Sequence, residues 1–275
     1  MKTTKIILGL ALAFSIFSCS KDDSNSSSEL SEAKVSAKID VATEDVAKIV
    51  EDQYALQVNP GAGKNNLETQ DLPSCATVTV ELTASTWTRT VVFDNCTLPN
   101  GNVLDGTIIV SGSLNFDTPS HTISYTFVNF HHNNILIEGN RTVVRSMQST
   151  SVLNTVHPVA NMSIDMTVTF PNGNVYHRVG NRVRELIEGF GTPMIWADNV
   201  FSISGSWTTT FPAGTQTSTI TTPLRVRANC PNIVRGVVEI VRNDNTAVLD
   251  YGNGECDNQA TLTVNGTTTT ITLGN

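Results

Sequence analysis

Residues 162–170 alternate without a break: Met162, Ile164, Met166, Val168 and Phe170 are apolar, with Ser163, Asp165, Thr167 and Thr169 between them. Successive strand side chains point to opposite faces, so this run predicts a strand with one dry face and one wet face. It ends in Pro171-Asn172-Gly173-Asn174, a hairpin signal. The chain then returns through 175–184, with Val175, Val179 and Val183 expected inward and the arginines outward. A second hairpin is predicted from Phe201–Phe211 through Pro212-Ala213-Gly214 into 217–227. A third turns at Asn265-Gly266, between 260–264 and 267–273. Further strands are expected over 77–82, 86–93, 107–116, 122–130, 135–145, 234–241 and 247–251. So many strands joined by short turns predict a mainly β protein, a large antiparallel meander forming a sandwich or barrel-like body, with an open twisted sheet as the alternative.

The region before residue 60 reads differently. Val41, Val46, Ile49, Val50 and Tyr54 form a broken apolar stripe that starts after Ser28 and runs to about Glu51. Asp40 and Thr43 interrupt it, so the pattern fits one helix packed on the body, two short helices, or a disordered tether. Residues 59–72, with Pro60, Gly61 and Gly63, read as a loop. The expected organisation is therefore a leader over 1–18, a tether over 19–30, a helical segment and loop over 31–74, and a β body over 75–275.

Composition agrees with strands. Charged residues make up 15% of the 275, and threonine alone supplies 37 positions. The net charge of −8 excludes a nucleic-acid binder, which needs a basic footprint. Every lysine lies at or before Lys64 and every arginine lies between Arg89 and Arg242. That split marks a boundary at the start of the β body.

Lys2 and Lys5 precede an apolar run over 6–17, too short to span a bilayer, which reads as a secretion signal. Removing 1–18 takes away two lysines and no acids, which moves the net charge from −8 to about −10. Ile16-Phe17-Ser18-Cys19 resembles a bacterial lipobox, although Phe17 is bulkier than usual there. Lys21-Asp22-Asp23 resembles the surface-export signal of Bacteroidota lipoproteins. Together with the cysteine-bearing β runs, these residues resemble a group of Bacteroidota surface lipoproteins with a β-rich body. The resemblance implies cleavage before Cys19, a lipid on that cysteine and an outer-membrane, surface-exposed location; it implies no activity. Several acyl chains would hold the protein firmly, since each buried methylene contributes about 0.8 kcal/mol.

Assigning Cys19 to lipid leaves Cys75, Cys96, Cys230 and Cys256. Three pairings are open, and the spacing favours Cys75–Cys96 with Cys230–Cys256. The sequence around the two pairs is similar enough to suggest a degenerate repeat, or else two unrelated stapled hairpins.

Chemistry is sparse. Glu185 and Glu188, with Phe190, Trp196 and Asp198, lie in a stretch that breaks the alternation and offers a candidate binding loop for a sugar or peptide. The two glutamates also offer a candidate carboxylate pair for glycoside hydrolysis. His131-His132-Asn133-Asn134 reads as a polar hairpin turn, and His121, His157 and His177 lack metal spacing. Asp250, Asn253, Glu255 and Asp257 form a weak calcium candidate. GxSxG, HExxH and P-loop signatures are absent. The expectation is a lipid-anchored surface protein with a binding or structural role, no cofactor, the membrane as one partner and a glycan or envelope protein as another. An extracellular glycan hydrolase using Glu185 and Glu188 is the alternative.

Overall fold

The structure is a computed structural model that describes residues 22–58, 72–98, 100–192, 195–212, 214–243 and 245–273, without the side chains of 22–30 and of residue 196. The leader, the Cys19 lipid site and most of the 59–72 loop lie outside the described residues.

Asp22–Val58 form one helix, α1. No glycine or proline interrupts it, and it stops two residues before Pro60, where the residue preceding a proline disfavours helical backbone. It is a single helix, and it begins at Asp22, inside the stretch expected to be tether. No helix among the described residues is long and apolar enough to cross a membrane.

Thirteen strands follow: β1 Ala76–Leu82, β2 Thr86–Thr97, β3 Val103–Ser113, β4 Ser120–His132, β5 Ile135–Gln148, β6 His157–Thr169 and β7 Val175–Glu188, then β8 Val200–Phe211, β9 Gly214–Arg227, β10 Ile233–Arg242, β11 Asn245–Asn253, β12 Gln259–Val264 and β13 Thr267–Thr272. They form one sheet in chain order, each strand antiparallel to the next, with β1 and β13 as its edges. The body is thus a single meander and not two packed sheets. The predicted turns close it: Thr169 pairs with Val175, and Val264 pairs with Thr267 across Asn265-Gly266. Asn133 and Asn134, both at positive φ, make the tight turn between β4 and β5.

The sheet curls around α1. Side chains of the helix reach partners on β2, β4, β5, β7, β9, β10 and β11. Between residues 39 and 53 the helix is buried almost all round, so no single apolar stripe is needed or present. Ile39, Val46, Ile49 and Val50 pack with β2–β7, while Ala33 and Ala37 join the core of β8–β13. Met162, Ile164, Met166 and Val168 are buried as their alternation predicts.

The return strand β7 reverses its expected facing. Val175 and Val179 are exposed, whereas Arg178, Arg182 and Arg184 are buried at 0%, 1% and 4% exposure. The inward face of β7 meets carboxylates of α1, and charge pairing outweighs the hydrophobicity of the valines. Asp40 Oδ1 accepts hydrogen bonds from Arg178 and Arg182, each at 2.6 Å. Tyr251 donates to its other oxygen at 3.3 Å. Glu44 accepts from Arg182 at 3.1 Å and from Arg184 at 3.2 Å. Asp40 and Thr43, which interrupt the stripe in the sequence, are therefore interior anchoring points.

Two disulfides fasten the body, Cys75–Cys96 and Cys230–Cys256. Their settings differ. Cys75 precedes β1 and Cys96 lies in a bulged part of β2, so that pair staples one hairpin. Cys230 and Cys256 sit in the β9–β10 and β11–β12 connections, so the second bridge passes over two intervening strands.

Candidate functional site

Val41, Glu44, Asp45, Lys48, Ile49 and Asp52 recur at helical spacing and line one face of α1. Over this face come the β2–β3 turn with Leu98 and Asn100, the β7–β8 connection with Ile195 and Ala197, Phe201 at the start of β8, and the β9–β10 connection with the strand ends that flank it, Val226–Ile233. These walls enclose a cavity of about 500 Å³. That size suits one small-molecule ligand. The wall at Cys230 is held by its disulfide to Cys256. A second cavity of about 180 Å³ adjoins the first and shares Arg184 and Phe201 with it. Glu51, Ala55, Arg145, Leu186 and Phe190 are among its other walls.

The acids of the cleft are largely spoken for. Asp45 accepts from Asn100 Nδ2 at 2.9 Å, and its other oxygen lies 2.8 Å from Asn102 Nδ2 and from His132 Nε2. His132 is thus buried against the helix, while His131, its neighbour, lies on the other face and bonds the carbonyl of Asn129 at 2.9 Å. Glu44 is held by Arg182 and Arg184. Burial lowers the pKa of Arg184, and Glu44 works in the opposite direction. The Arg184 guanidinium stands 3.8 Å from the centre of the Phe201 ring, a cation–π contact. Its Nε, fully buried, has no hydrogen-bond partner. Across the smaller cavity, Arg145 is paired with Glu51. Burial, reinforced by the charge of Arg184, pushes the Arg145 pKa down to about 10, which still leaves it charged at neutral pH.

The sequence-predicted loop residues do not converge. Glu185 and Glu188 belong to β7 itself and not to a loop. Glu185 is buried, accepts a hydrogen bond from Thr150 Oγ1 and lies 2.9 Å from His157 Nε2. Glu188 is solvent-exposed and stands 3.7 Å from Arg225. One carboxylate is engaged inside while the other faces water, and neither lines the cavity of about 500 Å³ or that of about 180 Å³. Phe190 packs its ring 6.3 Å from that of His157 and lines the smaller cavity. Asp198 is exposed and accepts from Thr192 Oγ1 at 2.6 Å. Trp196 lies in a short 3₁₀ turn, and its side chain is outside the described residues. From this connection it is Ile195 and Ala197 that line the large cavity.

The four residues of the calcium candidate are brought to one depression. Asp250 Oδ1 accepts from the backbone of Gly252 at 2.8 Å, and Asp257 Oδ1 from that of Gln259 at 2.9 Å, so both cap their own turns. Asn253 and Glu255 line the depression with them, about 270 Å³ in volume. Among the described residues no three His, Cys, Asp or Glu side chains are grouped as a metal site.

The sequence reading missed the helix face, Arg184, Phe201 and the 226–233 wall. No signal read in the sequence pointed there, since the split of lysines from arginines marked only a boundary. Comparison with protein-family models, with curated proteins and with solved structures finds no match.

Proposed function

We propose that this chain is an exported, N-terminally lipid-anchored protein that binds a small molecule in the cleft between α1 and the β7–β8 and β9–β10 connections. The observation that carries the reading is the cavity of about 500 Å³ walled by a buried helix on one side and by disulfide-held loops on another. Two disulfides support a compartment that oxidises thiols. The lipobox-like Cys19 supports an anchor immediately upstream of the helix. Catalysis has no comparable support, because Glu185 and Glu188 are apart and differently engaged.

Native mass spectrometry of the protein purified from its envelope tests the binding role. A bound small molecule is expected, and it should be lost in Ile195→Trp, which fills the cleft from a 54% exposed position. Protein that carries nothing and takes up nothing from a fractionated envelope extract would overturn the reading. The anchor has its own readout: the mature N-terminal peptide should begin at Cys19 and bear acyl mass.

A further inference from the structure

The chemistry of the cleft limits what it can hold. Its interior is mainly apolar, with Val41, Ile49, Leu98, Phe201, Val226 and Ile233 on the walls. An apolar chain would gain by leaving water for these walls. At the back, where the two cavities meet, stands Arg184. It is 4% exposed, it keeps one guanidinium nitrogen bonded to Glu44, and its Nε has no partner. That Nε is enclosed and out of a ligand's reach, but Arg184 lines both cavities, so a head group at their junction lies beside a buried guanidinium. The carboxylates on these walls do not offer the matching case for a cation: Glu44, Asp45 and Glu51 already hold guanidinium, amide and imidazole partners, and Asp52 is engaged as well. Arg145 adds a second guanidinium on the far side of Arg184, close enough to lower its own pKa through Arg184.

We propose that the cleft binds an amphiphilic anion, with an alkyl chain along the apolar walls of the larger cavity and a carboxylate or phosphate head at Arg184. This rests on the binding role proposed above and adds the ligand class. Guanidinium groups suit such heads because their N–H donors match paired oxygens.

A head-group series at fixed chain length tests it. Dodecanoate, dodecyl phosphate, dodecanol and dodecyltrimethylammonium would be titrated calorimetrically, below their micelle thresholds, into the chain from residue 19 onward carrying Cys19→Ala, which keeps every described residue. The two anions are expected to bind about ten-fold or more tighter than dodecanol, the ratio a charge-assisted hydrogen bond supplies. Their order names the head, carboxylate or phosphate. Arg184→Gln should shrink the ratio to about two-fold or less, and Ile195→Trp should abolish binding of the whole series. The wild-type series decides the matter even where Arg184→Gln fails to fold. Dodecanol or the cation binding as tightly as the anions, with binding still blocked by Ile195→Trp, would overturn the anion and leave the cleft as a binding site. No binding by any of the four, while a co-purified molecule is still lost in Ile195→Trp, would do the same. No binding and no co-purified molecule would remove both readings.

Discussion

Asp40 holds two guanidinium groups and a phenol in an interior where all four side chains are buried. Burial works to lower the Arg182 pKa, but Asp40 and Glu44 outweigh it and the net shift is upward. Removing the carboxylate strands both arginines. Asp40→Ala is expected to cost about 3–5 kcal/mol of stability, read as a lower urea midpoint with an unchanged slope. Replacing the trio together, as Asp40→Leu with Arg178→Met and Arg182→Met, should recover most of that loss, since apolar packing often equals a buried ion pair. Tyr54 gives a pH test. Burial pushes its pKa from the usual 10 up to about 12, and its hydroxyl meets His121. Between those values the folded form holds a proton that the unfolded form has lost, so stability falls as pH rises from about 10 to about 12. Tyr251, also raised by burial and by Asp40, acts with the same sign. Tyr54→Phe should flatten part of this alkaline loss in unfolding curves, and tyrosinate absorbance should lose a late step near pH 12.

At the scale of elements, strands and turns were legible because their signals are local. A run such as 162–170 needs only its own alternation, and Asn265-Gly266 needs only its own backbone preference. The facing of β7 was not legible in this way. Valines and arginines there occupy opposite parities, and a hydrophobicity rule sends the valines inward. What turns the arginines inward lies on a helix more than 130 residues earlier. The split of lysines from arginines shows only that two segments differ, and it does not single out the helix acids that meet those arginines. The candidate site was hidden for the same reason, since its walls come from α1, three separate connections and the strands β7 and β8. Bulges were also silent. At Gly106, with φ +97°, an added Cβ would stand 2.1 Å from the carbonyl oxygen of Asn129. Gly173, at φ +83°, has open space around it. Gly106→Ala is expected to lose about 3 kcal/mol or more, because backbone must move as well as strain. Gly173→Ala should lose only about 1 kcal/mol. Equilibrium unfolding of the two variants side by side checks the contrast.

Over the whole molecule, every strand partner is a chain neighbour, and the long-range ties come through α1 and the second disulfide. The Cys230–Cys256 bridge spans 26 residues. Cys230→Ala with Cys256→Ala is expected to cost roughly 3 kcal/mol, seen as a lower thermal midpoint, and to loosen the cleft wall. The helix ties are longer still. Glu32 waits for Arg242, and Asp40 waits for Tyr251, partners separated from them by 210 and 211 residues. The later turns of the helix can settle on β2–β7, but its earlier turns find their β10 and β11 partners only when nearly the last strands exist. Such a chain stays partly loose while it is being made and locks only when its tail arrives. A nascent polypeptide of this design is threadable through a narrow pore for as long as its end is missing, and truncation before β11 would leave it without a finished interior.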